Sequence, residues 1–255
     1  MSLQALLFDV DGTLADTERD GHRVAFNQAF AEAGLDWEWS VALYGELLAV
    51  TGGKERIRFY LQRHRPDFAR AAGDDLDTFI AGLHRSKTRH YLALLERGEI
   101  PLRPGVRRLL DEARVEGLRL AIVTTTTPEN VDVLLRTTLG EDALGWFEVI
   151  AAGDVVPAKK PAPDIYQYAL EAMGLGPEVC LALEDSENGL RSAAAAGCRT
   201  LVTVNEYTCQ QDFSGAWLVV DQFGEAAAPA TVLQGAALRG PCVDVAFLRA
   251  AFAAP

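Results

Sequence analysis

A chain of 255 residues, 49% of them hydrophobic, can bury one large core or two modest ones without disulfide or metal staples. Its formal net charge of −12 weighs against a sequence-independent nucleic-acid binder, which needs a cationic face, and against attachment to an anionic membrane surface. An anionic ligand is open to such a chain only through a few cations placed with care.

The first element is the apolar run Ala5–Phe8, a predicted strand, which leads straight into Asp9-Val10-Asp11-Gly12-Thr13. Strand alternation puts side chains at i and i+2 on one side, so Asp9 and Asp11 are expected together at the strand's C-terminal end. Two like charges so close call for a nearby cation, or for a division of labour into nucleophile and proton donor. Gly12 permits a sharp exit from the sheet, and Thr13 offers a hydroxyl to the turn.

From residue 16 to residue 97 the pattern is helical only. Phe26, Ala29, Phe30 and Ala33 form one stripe, closed by Gly34; Ile57, Tyr60, Leu61 and His64 form a second; Leu76, Phe79, Ile80 and Leu83 form a third. A helical block placed directly after the carboxylate strand reads as an inserted cap domain, 16–97, with the core made of 1–15 and 98–255. The proline-bearing return Ile100-Pro101-Leu102-Arg103-Pro104-Gly105 and the outgoing Leu14-Ala15 make a hinge. Lys87 falls in the phase of an apolar stripe with Ile80, Leu83, Tyr91 and Leu94, where a lysine either snorkels to solvent or faces an internal cleft. Lys54 follows Gly52-Gly53 at a helix start, a setting for a phosphate, although no Walker pattern surrounds it. Glu18, just past the hinge, can accept hydroxyls. His64, His84 and His90 are expected on helix surfaces or in packing.

Strand and helix then alternate. Predicted strands are Leu118–Val123, Val149–Ala152, Cys180–Leu183, Arg199–Val204 and Ala216–Val220, the last as an edge strand. The alternation implies an α/β fold, a Rossmann-like parallel sheet flanked by helices, with ligands beyond the carboxyl ends of its strands. Three further strand ends carry polar residues. Thr124 and Thr125 follow the second strand, and Pro128 opens the next helix, whose N-terminal N–H groups suit phosphate oxygens. Lys160-Pro161-Ala162-Pro163-Asp164 holds Lys160 in a loop stiffened by two prolines, as a point charge for a phosphate or a carboxylate. Glu184-Asp185-Ser186-Glu187-Asn188-Gly189 ends the strand from Cys180 with hard oxygen ligands of the kind Mg2+ takes. The tail from Asn205 to Pro255 carries no chemistry that its sequence makes readable.

The four cysteines, Cys180, Cys198, Cys209 and Cys242, form no Cys-x-x-Cys pair, and no histidine stands near them in metal-ligand spacing. With no basic leader before the first strand and no apolar run of bilayer-spanning length, a reducing, cytoplasmic setting is expected.

The order Asp-x-Asp-Gly-Thr, strand-Thr, Lys-Pro-x-Pro-Asp, strand-Glu-Asp resembles the haloacid dehalogenase-like phosphohydrolases over nearly the whole chain. The position of the insert resembles their helical-cap subclass. Lys-Pro-Ala-Pro-Asp and Leu-Glu-Asp-Ser resemble the beta-phosphoglucomutase-like enzymes. Asp16–His22 with Gly52–Arg56 looks like the CbbY branch, which is associated with carbon fixation (the Calvin cycle) and with dephosphorylation of xylulose 1,5-bisphosphate. The resemblance implies a Mg2+-dependent phosphatase in which Asp9 takes the phosphoryl group and Asp11 serves as acid and then base. It further implies metal ligation by Asp9, the Asp11 backbone carbonyl, Glu184 and Asp185, with Thr124 and Lys160 holding the transferring group. Substrate contacts are expected from Glu18, Lys54, Lys87, Thr125 and Asn188. The partner is then a small phosphorylated sugar, not nucleic acid or membrane, and a monomer is the default expectation. The alternative is a beta-phosphoglucomutase-type isomerase. That enzyme uses a cap histidine, and here His22 stands one residue out of step, which favours hydrolysis.

Overall fold

A computed structural model describes residues 2–50, 52–68 and 75–253. The chain divides into two compact units, Met1–Asp16 with Pro101–Pro255, and Thr17–Ile100.

The larger unit is a seven-stranded sheet in the order β3-β2-β1-β4-β5-β6-β7. The strands are β1 (Ala5–Phe8), β2 (Arg119–Val123), β3 (Val149–Ala151), β4 (Cys180–Glu184), β5 (Arg199–Thr203), β6 (Leu218–Val220) and β7 (Val232–Gln234). All neighbouring pairs are parallel except β6 and β7. Every residue of β1 and β4 is buried, as expected of central parallel strands covered on both faces. The order reverses at β1, with β2 on one side and β4 on the other, so the crevice beyond their carboxyl ends is the switch point where such sheets bind ligands.

In this unit, α5 (Val106–Val115), α6 (Pro128–Leu139), α7 (Asp164–Met173), α8 (Glu187–Ala195) and α9 (Val245–Ala253) flank the sheet; α1 to α4 belong to the smaller unit. Ile165, Tyr166, Ala169, Leu170 and Met173 of α7 pack on Ala5, Leu7, Ala121, Val123 and Ala182 of the sheet. Of these, the isoleucine, leucines, valine and methionine each contribute about 1.5–3 kcal/mol on full burial, the alanines less.

Ala216–Val220 is not an edge strand. Its ordered part, β6, is covered by antiparallel β7, with Val220 paired to Val232 and Val219 to Gln234. A three-residue strand with Leu233 largely exposed leaves too little periodicity to be read from sequence.

The smaller unit is helical: α1 (Arg23–Glu32), α2 (Val41–Leu47), α3 (Gly53–His64) and α4 (Leu76–Glu96), preceded by a wide π-type turn, Thr17–His22. Its core is aromatic. Phe26 and Phe30 of α1 lie 4.6 and 4.9 Å, centroid to centroid, from Trp39, which also meets Tyr44 and Tyr60. Asn27 fixes Trp39 by accepting from its backbone N–H (2.8 Å) and donating to its carbonyl (3.0 Å). Gly21 is buried so closely that a Cβ would lie 2.6 Å from Ile100 Cδ1 and 2.7 Å from Tyr91 Cε2.

Candidate active site

Register brings the acids together. Phe8 pairs with Ile122 on one side and with Leu183 on the other, and the Asp9 N–H donates to Leu183 O at 2.9 Å. Continued one residue, this register sets Asp9 level with Val123 and with Glu184, the last residue of β4, and Thr124 and Asp185 come one residue further along at the same carboxyl ends. Asp9, Glu184 and Asp185 are all buried and offer carboxylate oxygens within 4.8 Å of one another.

Lys160 joins two of them. Its side chain is 8% exposed, and Nζ donates to Asp9 Oδ1 (2.7 Å), Glu184 Oε1 (2.7 Å) and Val123 O (2.8 Å). Tyr166, reaching up from α7, donates its hydroxyl to the same Glu184 oxygen at 2.5 Å. Burial works against the charge on Lys160, yet the carboxylates of Asp9 and Glu184 outweigh it and hold its pKa above that of an ordinary lysine. Burial, then the neighbouring carboxylate charge, pushes Asp185 well above the usual carboxylate range. Burial likewise raises Glu184, against the pull of Lys160.

Two glycines make room for this cluster. Gly12, at φ +85°, has no Cβ where one would lie 2.1 Å from Asp185 Oδ2. Gly189, in the first turn of α8, has none where one would lie 1.9 Å from Glu184 Oε2. Three buried carboxylates against a single lysine leave two formal negative charges in excess. That surplus and an all-oxygen donor set fit a divalent cation of the hard kind.

Asp11 lies in the turn after β1, half-buried, where Gly12 N–H donates to Ala15 O at 2.8 Å. Its side chain is not part of the carboxylate trio. Thr124 is buried and its Oγ1 accepts from Thr126 N–H at 3.3 Å, shaping the loop that leads to the N-cap Thr127 of α6. Thr125 is half-buried, and Asn188 is exposed in the first turn of α8.

Sequence reasoning missed two residues here. Arg103, read only as part of the return segment, is 7% exposed. Its guanidinium donates to the carbonyls of Gly12, Thr203 (3.0 Å), Val204 (2.6 Å) and Asp221 (2.9 Å), and Nε lies 3.3 Å from Asp16 Oδ1. One cation thus clamps the Asp9–Asp11 loop to the ends of β5 and β6. This clamp, with the Ala15–Leu102 bridge, is why Asp16 belongs to the sheet unit. The other is Asn205, in the tail expected to hold no chemistry. Its Nδ2 donates to Asp185 Oδ2 at 2.8 Å. The available signal was local: Asn205-Glu206-Tyr207-Thr208 is an Asx-turn sequence at a strand end.

The helical unit has its own polar cluster. Tyr44 OH donates to Glu18 Oε2 (2.5 Å) and accepts from Arg56 Nη1 (2.6 Å), and that nitrogen stands 3.6 Å from Glu18 Oε2. Arg56 and Lys87 are each only 8% exposed. Lys87 does not snorkel out: Nζ lies 2.8 Å from His22 Nδ1 and sits over the rings of Tyr91 (4.9 Å) and Phe26 (5.3 Å). An ammonium can only donate, so Nδ1 is the unprotonated nitrogen and His22 is neutral. Burial first, then the charge on Lys87, holds the His22 pKa well below 6.5. Lys54 is exposed at the start of α3. His84 packs against Gly53, His64 stacks on Tyr60, and His90 meets Glu32.

The acids and the threonine at the ends of the central strands, with Lys160 reaching them from the loop before α7, are the arrangement of one enzyme class. Residues 3–197 match the haloacid dehalogenase-like hydrolase family, and the chain belongs to it. This agrees with the enzyme class read from the sequence, a phosphoric monoester hydrolase. Among individual proteins, the chain is 50% identical to Protein CbbY, plasmid, of Cupriavidus necator, over 97% of this chain and 96% of that protein. It is 52% identical to Protein CbbY of Rhodobacter capsulatus, over 87% and 94% respectively. A crystal structure of a CbbY mutant from Rhodobacter sphaeroides in complex with xylulose-(1,5)bisphosphate is 46% identical. It has a TM-score of 0.72, covering 88% of this chain and 96% of that one. No helix among the described residues is long and apolar enough to cross a membrane.

Proposed function

We propose that the protein is a Mg2+-dependent sugar-phosphate phosphatase that hydrolyses the 1-phosphate of xylulose 1,5-bisphosphate through an aspartyl-phosphate on Asp9. The observation that carries this reading is the buried trio Asp9, Glu184 and Asp185 with Lys160 bridging its first two members. The substrate follows from the likeness to a CbbY structure with that bisphosphate.

Asp9 and Glu184–Asp185 would hold the Mg2+ with the Asp11 backbone carbonyl; when bound, the ion neutralises charge between carboxylate and phosphate. Lys160 fixes Asp9 through one oxygen and leaves the other for attack. An Asp9 oxygen attacks phosphorus, the ester P–O bond breaks, and the Asp11 carboxyl gives its proton to the departing sugar oxygen. Asp11, now a carboxylate, takes a proton from the water that attacks the phosphorylated Asp9. Inorganic phosphate leaves and the Asp9 carboxylate is restored. Thr124, Thr125 and Lys160 serve the phosphoryl oxygens. We assign Asn188, Glu18, Lys54 and Lys87 to the part of the substrate that does not react.

Phosphate release from xylulose 1,5-bisphosphate, with and without Mg2+, tests the proposal. Asp9→Asn should cost about 10^4-fold or more in kcat, the scale of losing a covalent nucleophile. A wild-type rate in that variant would sink the mechanism. Neutralising Lys54 or Lys87 should raise KM for the bisphosphate more than for a monophosphate. Conversion of a hexose 1-phosphate to its 6-phosphate without phosphate release would favour the isomerase instead.

A further inference from the structure

Asn205, two residues past the end of β5, touches the candidate metal ligand Asp185. Asn205 directs its amide N–H to Asp185 Oδ2 at 2.8 Å. It cannot turn away, because its Oδ1 is engaged in accepting the Tyr207 backbone N–H at 2.9 Å, and its own N–H donates to Thr208 Oγ1 at 3.0 Å. An amide whose oxygen is so committed must present its NH2 on the other side. The preceding carbonyl, of Val204, is gripped by Arg103 at 2.6 Å. Gly12 leaves space for the pair, since a Cβ there would lie 2.1 Å from Asp185 Oδ2 and 2.8 Å from Asn205 Nδ2. Asp185 itself is buried, at 8% exposed.

We propose that Asn205 is a positioning residue that reserves one oxygen of Asp185 and thereby favours single-oxygen ligation, tuning the site toward Mg2+ over Ca2+. The inference rests on the metal-dependent reading above. Ca2+ accepts bidentate carboxylates and six to eight ligands at about 2.3–2.6 Å, whereas Mg2+ requires near-octahedral geometry at about 2.0–2.1 Å. A carboxylate with one oxygen tied to a fixed amide suits the smaller ion. Freed to rotate, it can offer both oxygens and suits the larger.

The test measures ion binding by the full chain without substrate: Mn2+ bound, followed by electron paramagnetic resonance, with Mg2+ and Ca2+ as competitors. Asn205→Ser keeps a turn-forming oxygen for the Tyr207 N–H but is too short to reach Asp185; Asn205→Ala loses both contacts. Each should weaken Mg2+ about 10- to 100-fold, the usual cost of removing a group that orients a metal ligand. Ca2+ should weaken less, so that the preference for Mg2+ falls. Wild-type Mg2+ affinity in Asn205→Ser would overturn the proposal, and so would an equal loss for both ions, which would reduce Asn205 to support of the loop. A wild-type chain that binds no Mn2+, while Asp185→Asn behaves identically, would instead remove the metal-dependent reading itself.

Discussion

In the sheet unit, three buried carboxylates stand at the ends of two adjacent strands. In the helical unit, Glu18 stands on a turn and draws its donor from Tyr44, backed by Arg56 on another helix. The first arrangement is set by strand register, which fixes backbone positions whether or not the side chains agree. The second is set by aromatic packing around Trp39, which holds α1, α2 and α3 at the distances that the polar contacts exploit. Removing a partner in the sheet unit therefore leaves the opposing charges in place and uncompensated. In the helical unit the carboxylate of the cluster, Glu18, keeps a third of its side chain in water, which can take the place of a lost donor.

Lys160→Met should give the largest difference between the two. It strips the shared ammonium from Asp9 and Glu184, which breaks a buried ion pair at a cost of about 3–5 kcal/mol. Turnover should fall about 10²- to 10³-fold. Denaturation with and without Mg2+ measures the first effect, and the ion should recover more stability in the variant than in the wild type. A melting curve that is unchanged in the metal-free variant would mean that the lysine is not carrying the buried charge.

Arg103→Lys should come next. A lysine keeps a charge for Asp16, but three donors at one point cannot span the carbonyls of Gly12, Thr203, Val204 and Asp221. Carbonyls left without donors cost about 1–3 kcal/mol. At about 2–4 °C per kcal/mol for a chain of this size, a drop of several degrees in Tm checks it.

Tyr44→Phe should be milder. It leaves Glu18 and Arg56 without the bridging hydroxyl, but Glu18 keeps 33% of its side chain in water. A stability loss of about 1 kcal/mol is expected. If Glu18 reads substrate hydroxyls, KM should rise while kcat holds; equal losses in both would contradict that role.

The same contrast explains what the sequence made legible. Asp9, Thr124, Glu184 and Asp185 each follow an apolar run, and a parallel sheet converts that local pattern into a shared location. Asn205 also follows such a run, but an asparagine at a strand end reads as a turn residue, and nothing near it in the chain announces Asp185. Arg103 stands between two prolines in what reads as a connector, and its four carbonyl partners are backbone atoms with no residue signature. Arg56 hides in the charged string Lys54-Glu55-Arg56, and its pairing with Tyr44 depends on helix packing. Lys87 was visible because its phase in α4 is helical geometry, while its partner His22 lies 65 positions earlier.

Acid should finally drive the two units in opposite directions, by the smallest of these effects. His22 has a folded pKa depressed below 6.5, chiefly by burial. The unfolded chain then binds the proton more readily, so the helical unit loses stability as pH falls below about 6.5. Glu184 and Asp185 have folded pKa values raised, chiefly by burial. There the folded state binds protons more readily, so the metal-free sheet unit gains stability as pH falls from neutrality toward about 4. Hydrogen exchange read separately on α1 and α4, and on β1 and β4, resolves the two trends. Mg2+ should cancel the gain in the sheet unit, because the ion competes with protons for the same carboxylates. His22→Gln should reduce the acid response of the helical unit, leaving the part due to His84, which burial also depresses, and leave that of the sheet unit untouched. A His22 ring resonance titrating near 6.5 in the folded chain would show that Lys87 and burial do not hold it neutral.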